Sequence, residues 1–150
     1  MTKPFVLQLG VHAGKSLERL MFTDPRYVSV LATAGNRYAG WLIKRGEDRV
    51  GPVCTGCGQA DSRYLVFYRQ RVDDDFTILP GAYCDKCARE HKNLGRTVMS
   101  LGFSATLWPR RKIDQIRIAK HISEIFALKG ASDEKLFRFF RESGSSRHLR

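Results

Sequence analysis

Apolar residues in the first third of the chain predict one short strand and two short helices. Residues 5 to 9 form an apolar run of strand length, and residues 16 to 22 and 25 to 34 have helical character. Asp24 and Pro25 stand between the two helices. Because Asp caps helix N-termini and Pro fits the first helical position, this pair predicts where the second helix begins.

An alternating segment in the middle of the chain predicts a β-hairpin. Tyr64, Val66 and Tyr68 occupy alternate positions, and three Asp residues at 73 to 75 separate them from a second apolar run at 76 to 79. Alternation with a period of two is typical of strands. We therefore expect two antiparallel strands that are joined by a polar turn.

The last third of the chain predicts an amphipathic helix with a basic face. Ile116, Ala119, Ile122 and Phe126 recur at helical spacing, and the pattern ends at Gly130. The opposite face carries polar and basic side chains, which are Arg117, Lys120 and His121.

Two more helices are predicted on either side of this one. Residues 87 to 99 favour a helix that ends before Gly102. Ser132 is placed to cap a final helix that stops at Gly144, and the remainder of the chain has the composition of a disordered tail. The apolar residues predicted inside this last helix are Leu136, Phe137 and Phe140.

Together these elements predict an α+β fold in three parts. Residues 1 to 50 form a small N-terminal α/β module, and residues 51 to 102 form a cysteine-containing module with the β-hairpin. Residues 103 to 150 form a basic helical segment with the disordered tail. A chain of 150 residues suffices for one ordinary domain or two small ones, which excludes a large multidomain enzyme.

Positive charge is the most unusual feature of the composition. The chain has 26 Lys and Arg residues against 15 Asp and Glu residues, and its formal net charge is +11. Residues 1 to 50, 51 to 109 and 110 to 150 carry +4, +1 and +6, so the excess lies mainly outside the cysteine-containing module. An enzyme of neutral small molecules has no need of this charge, which predicts a polyanionic partner.

The apolar runs and the cysteines also predict where the protein works. No window approaches the roughly 18 uninterrupted apolar residues of a membrane span, so we expect a soluble protein that is not secreted and has no membrane partner. The four cysteines form two pairs, each with two residues between its members. Extracellular disulfide frameworks seldom use this spacing, which therefore predicts a reducing compartment, the cytoplasm.

The two cysteine pairs predict a metal site. Cys54, Cys57, Cys84 and Cys87 have the spacing at which four thiolates close a tetrahedral shell around Zn(II). Such a shell has no open position for water, so the zinc would be structural. Gly58 supports this prediction, since a turn that brings backbone amides to the sulfurs often needs a residue without a Cβ. The alternatives are two redox-active pairs and four unliganded buried thiols.

The order of a cysteine knuckle, a hairpin and a second cysteine pair that enters a helix resembles a treble-clef zinc finger. The resemblance implies that Cys84 and Cys87 lie in the first turn of a helix, where the helix dipole favours thiolates. His91 lies four residues beyond Cys87. It is either a substitute ligand or a residue of the helix surface.

Two kinds of enzyme are considered and rejected. Some treble-clef proteins are HNH-type nucleases, whose hairpin carries a His that activates water, but residues 64 to 79 contain no His. A phosphate-binding loop that hydrolyses nucleotides has four residues between its glycines, whereas Gly10 and Gly14 enclose three before Lys15. We therefore expect a protein that is not an enzyme.

Residues 8 to 34 carry a glycine followed by a glycine-lysine pair, a short helix, and then Asp24-Pro25-x-Tyr27. This pattern resembles the small C-terminal domain of exodeoxyribonuclease X-like proteins, in which a Trp usually stands where this chain has Val30. The resemblance implies an accessory module that contacts nucleic acid, with Lys15 as a candidate contact. The alternative is that the glycines permit tight turns and Lys15 is a surface charge.

Basic and aromatic residues predict a surface for nucleic acid. Three cations stand at the start of the amphipathic helix, where the helix dipole does not favour them and a bound anion would stabilise them. On the hairpin, arginines flank tyrosines, a mixture that binds phosphates and stacks bases. For each residue alone, a solvated helix face or core packing is the better explanation, and only the sum of the charges favours contact with nucleic acid. The candidate contacts are Arg110, Arg111, Lys112, Arg117, Lys120, Lys15, Arg63, Arg69, Arg71, Tyr64 and Tyr68.

The sequence thus predicts a nonenzymatic zinc protein that binds DNA or RNA as a subunit or accessory factor of a larger nucleoprotein complex. A prokaryotic, phage or RNA-guided CRISPR-type defence machine is one such setting. The alternative is a protein-protein adaptor whose zinc module scaffolds an interface. Binding that is lost steeply with salt would favour nucleic acid, and binding that survives high salt would favour the adaptor.

Overall fold

The computed structural model of the chain describes residues 3–69 and 75–142. Within these ranges it has seven α-helices and one three-stranded sheet, which confirms the predicted α+β class. The helices are α1 (Leu17–Thr23), α2 (Pro25–Thr33), α3 (Arg37–Arg45), α4 (Asp85–Asn93), α5 (Phe103–Thr106), α6 (Lys112–Ile125) and α7 (Asp133–Arg141). The strands are β1 (Tyr64–Arg69), β2 (Phe76–Ile78) and β3 (Thr97–Ser100).

The predicted hairpin forms the core of the sheet. The strand order is β2-β1-β3, and β1 runs antiparallel to both neighbours. Phe67 is opposite Ile78 on one side and Thr97 on the other. Leu65, Val66 and Phe67 are all fully buried, so the middle of β1 is covered on both faces. Most of the predicted polar turn lies outside the described residues.

The segment after the last cysteine departs from the prediction. The helix predicted over residues 87 to 99 ends at Asn93, and Thr97–Ser100 forms β3 instead. The reason is tertiary, because the free edge of β1 offers backbone donors and acceptors that this segment satisfies. A third strand on that edge was not evident from the local pattern.

The two N-terminal helices begin where their capping residues predict. The Ser16 side chain accepts a hydrogen bond from the backbone N–H of Arg19 at 3.1 Å and caps α1. Asp24 caps α2 by accepting from the backbone N–H of Tyr27, and Pro25 is the first helical residue. The predicted boundary between the helices is therefore confirmed.

The strand predicted over residues 5 to 9 is wrong. Val6 forms a single antiparallel bridge with Ser16, and the backbone N–H of Leu7 donates to Lys15 at 3.0 Å. The chain thus turns back between Gly10 and Gly14 and pairs with its own continuation, which leaves no room for a longer strand. Leu9 lies at this turn and is 84% exposed.

Two helices have no counterpart among the predicted elements. The longer one, α3, begins at a cap in which Asn36 accepts from the backbone N–H of Ala39 at 2.9 Å. It buries Tyr38 and Leu42 against α1 and α2. The shorter one, α5, places Phe103 in the same apolar cluster.

The C-terminal helices follow the predicted pattern and join the other parts of the fold. Ser132 caps α7 by accepting from the backbone N–H of Lys135 at 3.2 Å, as expected, while the predicted stop at Gly144 and the tail lie outside the described residues. Phe140 of α7 packs into the cluster of α1 to α3, and Ile118 and Ile122 of α6 pack against the sheet. The division into three domains stays a prediction.

The helices of the described residues differ from membrane-spanning helices. None of them combines the length with the apolar character that a membrane-spanning helix requires.

Candidate metal centre and basic surface

The four cysteines meet in one cluster. The sulfur atoms of Cys54, Cys57, Cys84 and Cys87 all lie within 4.8 Å of one another, and no disulfide joins them. Four thiolates at about 2.3 Å from one ion stand roughly 3.8 Å apart at the corners of a tetrahedron. The sulfurs of Cys57 and Cys84 are separated by 3.8 Å. The cluster therefore has the dimensions of a site for one metal ion with four sulfur ligands.

The first cysteine pair lies in a tight turn that the local sequence favours. Val53 and Asp61 form an antiparallel bridge at the base of this turn. Gly58 has a φ of +67°, in the left-handed region that favours glycine, and its backbone N–H donates to the carbonyl oxygen of Cys54 at 2.9 Å. The expectation that Gly58 permits the turn is confirmed.

The second pair enters a helix as the treble-clef resemblance implies. Cys84 is the N-cap of α4, and Cys87 lies in its first turn. The unpaired backbone N–H groups and the positive end of the helix dipole favour negative charge at this position.

Backbone donors surround the Cys54 sulfur. The N–H groups of Gly56 and Cys84 donate to it at 3.3 and 3.2 Å. Burial alone would raise the pKa of Cys54, but hydrogen bonds from the backbone of Cys57, Cys84 and Gly56 outweigh it and lower this pKa to about 6. Cys54 is therefore ready to bind as a thiolate near neutral pH.

The other thiols show that the cluster needs a cation to hold four thiolates. The pKa of Cys57 is lowered, chiefly by a backbone hydrogen bond from Gln59. Burial raises the pKa of Cys87 to about 12, and hydrogen bonds with the neighbouring thiols act in the same direction. Full ionisation of the set thus requires a positive charge at its centre.

The donor set consists of the four cysteines. His91, the alternative ligand, points elsewhere, because its Nδ1 lies 3.0 Å from Nη1 of Arg96 and its ring packs edge-on against Tyr83. Three of the cysteines, Cys54, Cys84 and Cys87, pack with Val66 and Ala88 in a small apolar cluster between β1 and α4, whereas Cys57 is exposed. Sulfur ligands of this number and arrangement suit zinc.

Basic residues from three distant parts of the chain meet on one surface. Lys15 Nζ lies 3.4 Å from His12, whose Nε2 lies 2.9 Å from Asp24, and Asp24 in turn pairs with Lys112 at 3.2 Å. The side chain of Arg26 donates to the backbone carbonyl of Arg110 at 2.5 Å. Arg69 lines the same cleft as residues 110 and 111. We call this the basic surface; it comprises Lys15, Arg26, Arg69, Arg110, Arg111, Lys112 and Arg117.

Carboxylates within the fold already neutralise part of this surface. Asp114 accepts from Arg111 at 2.6 Å and from Arg117 at 3.2 Å, and Asp24 accepts from Lys112. These contacts supply the anion that the start of α6 was expected to need. Arg117 also donates to the carbonyl of Phe76, so it has a structural role besides its predicted one.

The hairpin residues predicted to act together lie on different faces of the sheet. Successive side chains of a strand point to opposite faces. Arg69 therefore shares its face with Phe67, which packs against Trp108, whereas Tyr64 and Tyr68 share the face of the cysteine cluster. Tyr68 is 53% exposed there. The predicted mixture of stacking and phosphate-binding groups is thus divided in two.

The remaining candidates are spread out. Tyr64 lies at the opposite end of β1 from Arg69, roughly 17 Å away at about 3.3 Å per residue, and Arg63 immediately precedes it. Asp85 raises the pKa of Tyr64, which places this tyrosine beside the first turn of α4. Lys120 is exposed on α6, two turns beyond Lys112, and Arg71 lies outside the described residues.

Besides Arg26, three residues that lie beside this surface were not among the sequence candidates. They are Asp24 and Asp114, which hold the cations in place, and Trp108, whose ring lines the cleft beside Arg69. The signal for Asp114 was present, because it lies three residues from both arginines it pairs with on a predicted helix. No local pattern singled out Trp108.

Comparison with protein-family models, with curated proteins and with solved structures finds no match to this chain. The resemblances to an exodeoxyribonuclease X C-terminal domain and to a treble-clef finger therefore stay predictions.

Proposed function

We propose that this chain is a nonenzymatic nucleic-acid-binding zinc protein that serves as a subunit or accessory factor of a larger nucleoprotein complex. The basic surface carries this proposal. Its cations come from the loop before α1, from β1 and from the start of α6, and the fold brings them together. The seven cations there outnumber the carboxylates of the described residues that act on them, which are Asp24, Asp114 and Asp75.

Such an excess suits a ligand with many regularly spaced negative charges. Lys and Arg that contact phosphates release condensed counterions, so affinity gains from every contact at low salt. Contacts of this kind position a protein on a nucleic acid without reading its bases. Asp24 and Asp114 orient the cations, and the charge in excess remains for phosphates.

The zinc has a structural role in this proposal. Four thiolates would complete its tetrahedral shell and leave no position for a catalytic water. The knuckle, the hairpin and α4 would then form a treble-clef-like module whose β1 also carries Arg69 of the basic surface. Zinc would thus stabilise the strand that presents this arginine.

The absence of catalysis is part of the same proposal. His12 contacts Asp24, His91 contacts Arg96, and His121 contacts the carbonyl of Gly81, so these three histidines are dispersed over the fold. The glycine-lysine turn places Lys15 beside His12. We expect no cleavage of DNA, RNA or ATP, and cleavage that is lost in Lys15→Ala would contradict this.

The test compares two charge-reversal variants with the same net charge. Arg111 and Arg117 are left in place, because their reversal would face Asp114 and disturb the fold. The test variant carries Lys15→Glu and Arg110→Glu in the basic surface, and Lys120→Glu, the sequence candidate that is exposed further along α6. The control variant carries Lys44→Glu, Lys86→Glu and Lys92→Glu, all exposed on α3 and α4.

Binding of labelled single- and double-stranded oligonucleotides is measured at low and high salt. With about six phosphate contacts, the affinity of the unaltered chain should fall roughly a thousandfold or more between about 50 and 200 mM salt. The test variant should bind more weakly and with a smaller salt slope, while the control variant keeps most of the affinity. Equal loss in both variants would mean that only net charge matters. No binding at low salt would favour a protein-protein adaptor.

A further inference from the structure

A cleft of about 420 Å³ lies within the basic surface, between the end of β1 and the start of α6. Pockets of this size hold small organic groups such as one nucleotide. The residues that line it combine aromatic rings with guanidinium groups. They are Arg69, Phe76, Trp108, Arg110, Arg111 and Asp114.

Trp108 forms a fixed aromatic wall in this cleft. Its ring centroid lies 5.2 Å from that of Phe67 and 5.3 Å from that of Phe76, both of which are buried. Trp108 is half-buried, and its side chain lines the cleft. The guanidinium of Arg69 lies 5.9 Å from the ring centroid. The ring is therefore held in place by two buried aromatic neighbours, and its half-exposed part lines the cleft.

Charge in the cleft is arranged for an anion. Among the described residues that line the cleft, the one carboxylate is Asp114, which is shared by Arg111 and Arg117; Asp75 lies near enough to act on Arg111 as well. Arg110 is exposed, and no carboxylate of the described residues pairs with it. An anion that enters the cleft would meet the guanidinium of Arg110 directly.

We propose that this cleft binds one nucleotide of a single-stranded nucleic acid, with the base against Trp108 and an adjacent phosphate at Arg110 and Arg111. This inference rests on the proposed function, which it narrows to single strands. A base within a duplex is stacked between its neighbours and cannot reach an indole ring, whereas an unpaired base can stack on it. The aromatic wall therefore favours a single strand over a duplex.

The test uses the intrinsic fluorescence of Trp108. The other tryptophan, Trp41, is replaced in a Trp41→Phe chain, which reports on Trp108 alone. The probes are a deoxythymidine decamer, an abasic decamer with the same phosphates, and a duplex of the same length. We expect the thymidine decamer to quench the fluorescence, and the abasic decamer to bind roughly tenfold more weakly without quenching.

Two variants at exposed positions locate the phosphate contact and leave the packed Trp108 ring unchanged. Arg110→Ala should weaken binding of the thymidine decamer several-fold and reduce its salt slope by about one. Lys92→Ala, on α4, is the matched control and should bind as the unaltered chain does. Circular dichroism of each variant confirms that the fold is kept.

The outcomes separate this inference from the proposed function. Equal affinity for the thymidine and abasic decamers, with no change in fluorescence, would overturn the proposal that the cleft binds a base. The proposed binding of nucleic acid would still stand. Stronger quenching by the duplex, or equal quenching by polyglutamate, would also overturn it. If no oligonucleotide binds at any salt concentration, both the inference and the proposed function fail.

Discussion

Lys112, the first residue of α6, places its ammonium group 3.2 Å from the carboxylate of Asp24, the N-cap of α2. The same carboxylate oxygen lies 2.9 Å from Nε2 of His12, and its partner oxygen accepts from the backbone N–H of Tyr27. The Asp24 side chain is only 7% exposed. One carboxylate therefore joins the glycine-lysine turn, α2 and the basic helix.

Asp24→Asn should lower the free energy of unfolding by about 2 kcal/mol at neutral pH, a typical value for hydrogen bonds to a charged group. Asn is as good an N-cap as Asp, so the start of α2 should be kept and only the charge is lost. Urea unfolding, followed by circular dichroism, measures the difference. The exposed Asp61→Asn is the control for removal of one negative charge.

The effect of Asp24→Asn should depend on pH. Burial alone would raise the pKa of Asp24, but hydrogen bonds from His12 and Lys112 and the charge of Lys112 lower it below the ordinary value of 3.8. The charged form thus contributes stability that is present above the ordinary pKa and is lost as the pH falls through the lowered one. The difference in the free energy of unfolding between the unaltered chain and the Asp24→Asn variant should therefore have its full value at pH 7 and become smaller in strong acid. A difference that is constant with pH would contradict this.

Chelation should unfold the cysteine cluster and the strands around it. We expect one equivalent of zinc in protein purified without chelator, because four sulfurs with the dimensions of one site bind the ion and fold together. Elemental analysis measures the metal, and circular dichroism before and after chelation measures the fold. Protein without stoichiometric metal would contradict this prediction.

Two variants test which residues bind the metal and which only lie near the metal centre. Cys84→Ser should lose the metal, because one thiolate of the set is missing. His91→Ala should keep one equivalent, since His91 contacts Arg96 and Tyr83 rather than the sulfurs. Loss of metal from the His91→Ala protein would show that this histidine is a ligand after all.

Gly81→Ala should destabilise the same module by at least about 2 kcal/mol. Gly81 has a φ of +73°, and a Cβ there would lie 1.8 Å from Oγ1 of Thr55, which accepts from the backbone N–H of Ala82. The side chain of Thr55 would have to move and break this bond. Urea unfolding of the metal-loaded protein measures the loss.

Gly40→Ala is a matched glycine-to-alanine variant, which we expect to raise the stability of the protein rather than lower it. Gly40 lies inside α3, and no heavy atom outside its own helix would lie within 4 Å of an added Cβ. Alanine in a helix interior is favoured over glycine by about 0.5 to 1 kcal/mol, so this variant should be more stable. Destabilisation of both variants to the same extent would mean that the contact with Thr55 is not the cause.

Signals between near neighbours in the chain were sufficient for much of this fold. The spacing of Cys54 and Cys57 predicts a pair of metal ligands, and Asp24 and Ser132 predict helix starts that the structure has. Even the contact of Asp114 with Arg117 follows from helical spacing. Each of these depends on residues a few positions apart, whose geometry the helix or turn itself decides.

Where the local sequence pattern did not decide the structure, the part of the chain that lies alongside decided it. Residues 97 to 100 have no strand signal of their own and form β3 because β1 has a free edge. Residues 5 to 9 have an apolar pattern but form no strand, because the chain turns back on itself at Gly10. In both segments the backbone hydrogen bonds are decided by which chain lies alongside.

The chemistry of the basic surface was decided by tertiary structure. The sequence alone shows an excess of cations and the ligands of a metal, because charge and ligand spacing are properties of the chain. It does not show that Lys112 reaches Asp24, or that Arg69 and Trp108 share a cleft, since these pairs are about 90 and 40 residues apart. Packing of α6 against α1, α2 and the sheet brings them together, and it determines which cations are neutralised and which remain for a ligand.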